Sequence, residues 1–339
     1  MVTLLAIESS CDETAASVIR NGAPLSNIVA SQTELHRQYG GVVPEIASRS
    51  HVLQILPVID EALRQSNTEL KQIDAIAIMT TPGLSGSLAI GLTAGKTLAM
   101  TLDCPLISVH HLHAHIYANQ LTTQENIFPC VGAVVSGGHT SLYNCLSPLD
   151  FHLLGSTIDD AAGEAFDKVA QLLNLGFPGG PAIDQASRAG DPKAYRFPRA
   201  LLHKKHLDFS FSGLKTAVLY SLKGQESSRD RPFLLNDETV SNIAASFQEA
   251  VVDVIVSKCQ QALQHTHHRI LCIGGGVAAN RRLREQLTEM ADHSGIRLFI
   301  PPMSLCTDNA AMAAIAEARL EADLTEDLHL DIVPGLIRP

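Results

Sequence analysis

The chain opens on an apolar run, Leu4-Leu5-Ala6-Ile7, that stops at an acid, Glu8. A short apolar run bounded by turn residues predicts a buried strand. The small polar stretch Ser9-Ser10-Cys11-Asp12-Glu13 follows, then a second apolar stretch from Thr14 to Ile19. Strand, polar turn and strand read as a β-hairpin. The pattern returns at Val131-Gly132-Ala133-Val134-Val135, which runs through Ser136-Gly137-Gly138-His139-Thr140 into a second strand ending near Tyr143. A different pattern follows each hairpin. Ile73 to Met79 enters Thr80-Thr81-Pro82-Gly83-Leu84-Ser85-Gly86-Ser87 and then a helix through Lys96. Arg269 to Ile273 enters Gly274-Gly275-Gly276-Val277-Ala278-Ala279-Asn280 and then a helix through Leu287. Each is strand, glycine-rich loop, helix. The repetition predicts two α/β lobes of related design.

Three further segments carry expectations. Asp159 to Lys168 reads as a helix with acids in its first turns, where the helix dipole favours them. Within it Asp167 is also placed to accept from a sugar hydroxyl. Gly176-Phe177-Pro178-Gly179-Gly180-Pro181-Ala182-Ile183-Asp184 reads as a turn that lets backbone come close to a ligand. Thr307 to Met312 opens a late helix, with Asp308 either its cap or a carboxylate aimed into a cleft. Hairpin tips and glycine-rich loops before helices offer backbone N–H groups to phosphate oxygens. Two facing lobes would bind a nucleotide in the cleft between them. The plain alternative for Gly274-Gly275-Gly276 is a tight turn with no ligand. There is no Gly-x-x-x-x-Gly-Lys-Ser/Thr run and no Gly-x-Gly-x-x-Gly opening a first βα unit, so neither the P-loop nor the Rossmann fingerprint applies.

Length and composition narrow the class. A chain of 339 residues, 45% hydrophobic, predicts about two domains with sizeable cores. No apolar run reaches the ~18 residues of a membrane span, and the N-terminus lacks a basic stretch before its apolar run. A cytoplasmic protein is expected. The cysteines Cys11, Cys104, Cys130, Cys145, Cys259, Cys272 and Cys306 are odd in number, dispersed and without Cys-x-x-Cys. That argues against a disulfide framework or a structural zinc cluster and for small core residues. A formal charge of −10 does not advertise nucleic-acid binding, which needs clustered cations. Local basic patches are Arg196 to His206, with Arg199, Lys204 and Lys205, and Arg281-Arg282 with Arg284. Their plain reading is solvated surface.

The densest chemistry lies at His110-His111-Leu112-His113-Ala114-His115-Ile116, where four of the 15 histidines fall within six residues. On a helix His111 and His115, at i and i+4, share a face. Neutral imidazole is the commonest protein metal ligand, so the pair can grip one ion. A histidine pair on a helix is also a common accident, but this one sits in an apolar, uncharged stretch. The zinc-protease motif needs Glu directly after the first histidine, and position 112 is Leu.

At this point the motifs resemble a known family, the tRNA adenosine threonylcarbamoyltransferases (TsaD proteins), once labelled glycoproteases. The run from Lys96-Thr97 through Leu102-Asp103, Pro105, Ile107, His111, Ala114, His115 and Ile116 resembles the family's long histidine signature. Ile7 to Thr14, Val135 to Thr140, Gly176 to Gly180, Phe209-Ser210-Phe211-Ser212-Gly213-Leu214-Lys215-Thr216 and Gly274 to Asn280 resemble its other motifs, in order. The resemblance spans roughly residues 3–335. It implies an α/β duplicated two-lobe fold of the actin, sugar-kinase and Hsp70 type, with the nucleotide site in the interlobe cleft. The expected N-terminal lobe is 1–130 plus 310–339, carrying the histidine pair. The C-terminal lobe is 131–309, with the nucleotide-binding loops and an insertion near 150–240. The implied reaction moves the threonylcarbamoyl group from threonylcarbamoyl-AMP to N6 of adenosine 37 in tRNAs that read codons beginning with A. By resemblance His111, His115 and Asp308 would be metal ligands, with Fe²⁺ favoured and Zn²⁺ the alternative. Val134, Val135, Ser136, Gly137, Gly138, Asp167, Gly180, Asp184 and Asn280 would bind the adenylate. Asp12 and Glu13, at the first hairpin, are our own candidates to orient the nucleophile or take its proton. Partners implied for the bacterial branch are a TsaB-like paralogue and a TsaE-like ATPase. A non-catalytic nucleotide-binding subunit and a small-molecule kinase of the same fold are the competing readings, and the histidine pair argues against both.

Overall fold

A computed structural model describes residues 2–202, 204, 206–223 and 236–335. Lys205 of the first basic patch and the last residues of the expected N-terminal lobe lie outside the described residues. The chain divides into two compact units, Met1–Phe128 with Leu146–Phe151 and Pro301–Pro339, and Pro129–Cys145 with His152–Ile300.

In chain order the first unit begins with β1 (Thr3–Glu8), β2 (Glu13–Arg20), β3 (Ala23–Pro24) and β4 (Ile28–Ser31). Helices α1 (Thr33–Arg37) and α2 (Pro44–Gln65), strand β5 (Ala75–Thr81), helix α3 (Ser85–Leu102), strand β6 (Leu106–His110) and helix α4 (His111–Tyr117) follow. The strands form one sheet in the order β3-β2-β1-β5-β6, with β4 also paired to β2. The hairpin read from the sequence is present, with β1 antiparallel to β2, while β5 runs parallel to β1 and β6 parallel to β5. Both faces of this sheet are covered, which is why its strands read as continuous apolar runs. Alternate residues serve alternate cores. Leu4, Ala6, Ala75, Ala77 and Met79 pack with Ala114 of α4 and residues 310–316. Leu5, Ile7, Ile76 and Ile78 pack with Ile55 and Ile59 of α2 and Leu92 of α3.

The second unit holds β7 (Cys130–Val135), β8 (Thr140–Ser147), β9 (Asp150–Ser156), helices α5 (Ala162–Leu172), α6 (Gly179–Ser187), α7 (Ser212–Lys223) and α8 (Asp237–Thr266), then β10 (Ile270–Gly274), α9 (Arg281–Ser294) and β11 (Arg297–Phe299). Its sheet order is β11-β10-β7-β8-β9, again with an antiparallel hairpin, β7–β8, beside a parallel strand. The chain returns to the first unit with α10 (Met303–Cys306), a 3₁₀ turn at Ala311–Ile315 and α11 (Ala316–Glu321). The duplicated design expected from the sequence is therefore present as two sheets of related order. Among the described residues one helix, α8, is long and apolar enough to cross a membrane by length and composition. Its apolar positions serve the unit's core instead: Ile243, Phe247, Val251 and Ile255 are buried, and Phe247 meets Phe166 edge-on at 5.2 Å.

Two local expectations change. The helix expected from Asp159 starts at Ala162. Asp159 instead gathers the start of α7: it accepts from Ser210 Oγ at 2.5 Å, the Phe211 N–H at 2.8 Å, and the N–H and Oγ of Ser212 at 3.2 and 2.8 Å. Asp160 pairs with Lys168 at 2.7 Å. The basic patches are also largely spent. Arg199 is bound to Asp253 at 2.7 Å, Arg281 to Glu285, and Arg282 to Glu249 at 2.7 Å, while Arg284 donates to the Ala278 carbonyl.

Desolvation works against the Asp159 charge, but the hydrogen bonds from Ser210, Phe211 and Ser212 outweigh it and hold the carboxyl below its usual range. A depressed folded-state pKa contributes stability above the unfolded value of about 3.9 and loses it as pH falls through the folded one. Asp159→Ala is expected to cost about 1 kcal/mol at neutral pH, as loss of a helix cap does. Thermal melts should show a lowered Tm at pH 7 and a difference from wild type that shrinks below about pH 4.

Candidate metal centre and nucleotide-binding loops

The first unit brings His111, His115 and Asp308 together. His111 is the first residue of α4 and His115 lies one turn on. Leu112 and Ile116, both buried, fix that helix to the core. Asp308 lies 193 positions after His115, and its neighbour Asn309 braces the turn that follows: the Asn309 Oδ1 accepts from the Met312 N–H at 3.2 Å. Asn27 braces the same segment by accepting from the Ala311 N–H. The Asp308 Oδ1 thus reaches His115 Nε2 at 3.0 Å and His111 Nε2 at 3.6 Å. One donor atom from each residue falls within 4.8 Å of the others. Ligand bonds of about 2.0–2.2 Å separate neighbouring donors by about 3 Å or slightly more, so the three atoms are spaced to hold one divalent ion.

The surroundings fit that use. Glu8, fully buried at the end of β1, sits 2.9 Å from His111 Nδ1 and accepts from the Ser10 N–H. The Ser10 hydroxyl also lies 3.1 Å from His111 Nδ1. With Nδ1–H given to Glu8, the His111 Nε2 lone pair faces Asp308; this carboxylate–imidazole arrangement fixes the tautomer of a metal ligand. Burial alone would disfavour a charged His111, but Asp308 and Glu8 outweigh it and raise its pKa to about 9. Two carboxylates in a buried place call for positive charge, and a divalent cation supplies it.

Asp12 and Glu13 belong to the same neighbourhood. Burial, reinforced by Asp12 and Asp308, pushes Glu13 up to about 10. Burial and the same carboxylates raise the Cys11 thiol, so it is no thiolate nucleophile. This loop is held from several sides. Buried His51 of α2 contacts Thr14 Oγ1 at 2.7 Å and the Cys11 carbonyl at 3.0 Å. Ser87 Oγ donates to the same carbonyl, and Leu84 N–H to that of Ser10. Gly83 and Gly91 permit the approach: a Cβ would stand 2.5 Å from Ser10 O at the first and 2.3 Å from Ser9 Oγ at the second. Glu8, Ser10 and His51 were not singled out from the sequence; the one signal for Glu8 was an acid closing an otherwise apolar strand.

In the second unit the Ser136–His139 turn is closed by the Ser136 N–H to the His139 carbonyl at 2.7 Å. The Ser136 and Gly137 carbonyls accept from the N–H groups of Gly163 and Glu164, so the first amides of α5 are spent on the loop. The Gly137 and Gly138 N–H groups make no hydrogen bond among the described residues, and a Cβ at either would meet open space, as at Gly180. Val134 and Val135 are buried and have only backbone to offer. Asp167 accepts from the Gly179 N–H at 2.7 Å. Asp184 keeps Oδ1 buried without a hydrogen-bond partner, with Arg188 3.6 Å from its other oxygen. Asn280 caps α9 through the Leu283 N–H and donates to Gln248 at 2.7 Å.

These features can be set beside known proteins. The family model of TsaD, tRNA N6-adenosine threonylcarbamoyltransferase, matches residues 24–315. A protein of that name from Rhodopirellula baltica is 52% identical over 347 residues, covering 99% of this chain and 97% of its own. One from Symbiobacterium thermophilum is 53% identical over 98% of this chain and 96% of its own. The chain belongs to the tRNA N6-adenosine threonylcarbamoyltransferase family. The architecture is mixed α/β with two sheets, an actin-like fold shared with solved structures. HypF in its phosphate- and nucleotide-bound form matches with a TM-score of 0.61 at 15% identity, covering 95% of this chain and 47% of HypF. This chain therefore spans about half of HypF. Component A of (R)-2-hydroxyglutaryl-CoA dehydratase from Acidaminococcus fermentans matches with a TM-score of 0.54 at 12% identity, over 93% of this chain and 96% of its own.

For this threonylcarbamoyltransferase-family chain, Glu8→Ala frees the His111 ring and is expected to weaken divalent-metal binding by about 10- to 100-fold. The double change His111→Ala with His115→Ala should abolish stoichiometric metal. Elemental analysis and competition with a metal-sensitive dye read both; unchanged metal content in the double variant would place the ion elsewhere.

Proposed function

We propose that the chain transfers the threonylcarbamoyl group of L-threonylcarbamoyladenylate to N6 of adenosine 37 in tRNAs reading ANN codons, forming t6A and releasing AMP. Family membership supports the reaction class, and the convergence of His111, His115 and Asp308 is the observation that carries the assignment of this chain as an active member.

Threonylcarbamoyl-AMP is a mixed anhydride, so AMP is a good leaving group. The protein's task is to position N6 against the carbamoyl carbon and to stabilise the oxyanion that develops as N6 adds. In our reading His111, His115 and Asp308 hold a divalent ion, Fe²⁺ in preference to Zn²⁺, and leave coordination positions open. When bound, such an ion supplies Lewis-acid polarisation of a carbonyl or phosphate oxygen. Glu8 and Ser10 keep the His111 ring turned for that role. Asp12 and Glu13 are assigned to orienting the nucleophile and handling its proton, with Glu13, whose pKa is raised, as the hydrogen-bond donor of the two. Ser136, Gly137 and Gly138, with the backbone of Val134 and Val135, are assigned to the adenylate phosphate. Asp167, Gly180, Asp184 and Asn280 are assigned to its nucleoside. The open approach to Gly137, Gly138 and Gly180 and the unpartnered Asp184 oxygen support this.

A chain of formal charge −10 releases few counterions on RNA, and among the described residues of its basic patches Arg199, Arg281 and Arg282 are tied to acids. We therefore assign part of tRNA docking to partners, a TsaB-like paralogue and a TsaE-like ATPase, acting in the cytoplasm. Arg196, Lys204 and His206 are this chain's contribution.

Two outcomes test the reading. Incubated with threonylcarbamoyl-AMP and tRNA, the metal-loaded chain should form t6A only when both partners are present, read by chromatography of digested tRNA. Full modification by the isolated chain at physiological salt would refute the partner requirement, and no product under any combination would refute the reaction. Gly137→Val should lower AMP affinity at least tenfold by calorimetry with little change in Tm. Affinity equal to wild type would displace the adenylate from this loop.

A further inference from the structure

Gln248, in the middle of α8, carries an amide into the core of the second unit, where it is only 3% exposed. Burying an amide is costly unless its ends are hydrogen-bonded. Here both are. Its Nε2 donates to Ser187 Oγ at 2.9 Å, and its Oε1 accepts from Asn280 Nδ2 at 2.7 Å. Ser187 closes α6 and Asn280 caps α9, so one side chain ties three helices together. Each helix is anchored beside the tie by a buried apolar residue: Ile183, Phe247 and Leu283.

The direction of this chain of bonds is fixed from both ends. Ser187 Oγ donates its one proton to the Asp184 carbonyl at 2.8 Å, so toward Gln248 it can only accept. That puts the Gln248 nitrogen on the Ser187 side and leaves its oxygen for Asn280. At the far end the Leu283 N–H claims Asn280 Oδ1 at 2.9 Å, so Asn280 turns its nitrogen toward Gln248. The two demands agree, and a neutral amide at position 248 meets both. A carboxylate has no donor for Ser187, and an apolar side chain has neither group.

We propose that Gln248 is a positioning residue for adenylate binding, acting through Asn280 on one side and through Ser187 and the Asp184 backbone on the other. The proposal rests on the assignment of Asp184 and Asn280 to the nucleoside. Asn280 keeps a second N–H on the nitrogen that Gln248 holds, and Asp184 keeps a buried Oδ1 without a hydrogen-bond partner. A donor and an acceptor are thus delivered by two different helices, and the Gln248 amide sets their spacing and the turn of the Asn280 group. A nucleoside, with hydroxyls that both donate and accept, fits such a pair. Because the tie is made before any ligand arrives, its loss falls on ground-state binding rather than on the chemical step.

The test measures AMP binding to the full chain by calorimetry across pH, in wild type, Gln248→Met and Gln248→Glu. Methionine keeps the length and lacks both polar groups. Its AMP affinity is expected to fall by about tenfold, the scale of one lost buried hydrogen bond. With tRNA and both partners, its KM for threonylcarbamoyl-AMP should rise by a similar factor while kcat stays within about twofold of wild type. Glutamate keeps the shape and the acceptor for Asn280. Burial raises the pKa of such a carboxyl, and once protonated its O–H replaces the donor to Ser187. Its deficit against wild type at the same pH should therefore shrink as pH falls from about 8 to about 6, while the methionine deficit stays constant. A folded Gln248→Met that binds AMP within about twofold of wild type would overturn the proposal. So would a glutamate deficit as large and as independent of pH as that of methionine, which would make Gln248 a packing residue only. If Gln248→Met does not fold, the glutamate pH series decides. Failure of the wild type itself to bind AMP would instead remove the adenylate assignment.

Discussion

Two carboxylates and two imidazoles gathered at one end of the first unit's sheet, all buried but the half-buried Asp308, are the constraint on which its local structure depends. Glu8 and His115 are fully buried and His111 nearly so. Buried charge is tolerated only when compensated. Compensation here is built in layers. Glu8 accepts from the Ser10 N–H and holds His111, and Asp308 bridges both histidines. Each partner is delivered by an element whose apolar residues are locked in the core: Glu8 by β1, the histidines by α4, and Asp308 by the segment that leads into buried residues 309–316, where Asn309 accepts from the Met312 N–H. Removing any one leaves another charge in the interior without its partner, which costs more than the pair contributes.

The second unit solves a different problem, presenting free backbone donors on a rigid loop. The first amides of α5 would be the obvious anion-binding groups, yet the Ser136 and Gly137 carbonyls consume them. What stays open is the loop's own Gly137 and Gly138. Close packing enforces this: a Cβ on Gly163 would stand 2.6 Å from the Ser136 carbonyl, and one on Gly275 2.5 Å from that of Val135. Those two glycines keep the loop where it is, while Gly137 and Gly138 keep it uncovered.

Periodicity made most of the architecture legible in the sequence. Runs such as Leu4–Ile7 and Val131–Val135 announce strands, and the recurrence of hairpin then glycine-loop announces the duplication, because both are local patterns. The i, i+4 spacing of His111 and His115 is equally local. That Asp308 would lie beside the histidines was not readable from local pattern, since it depends on a fold that brings together residues 193 apart. The start of α5 was misplaced because acids before a helix look alike whether they favour its dipole or, as Asp159 does, bind the start of another helix 51 residues on. That Arg282 and Arg199 are ion-paired was equally hidden: Glu249 and Asp253, their partners, lie 33 and 54 residues away.

The central claim, that His111, His115 and Asp308 form one metal centre, is most directly tested by anomalous diffraction from crystals of the protein loaded with Fe²⁺ or Zn²⁺, collected at the metal's absorption edge. The account predicts one strong peak about 2.0–2.2 Å from His111 Nε2, His115 Nε2 and an Asp308 carboxylate oxygen, with Glu8 still on His111 Nδ1. A fully loaded protein whose anomalous peak lies elsewhere, with the Asp308–His115 hydrogen bond intact, would contradict it.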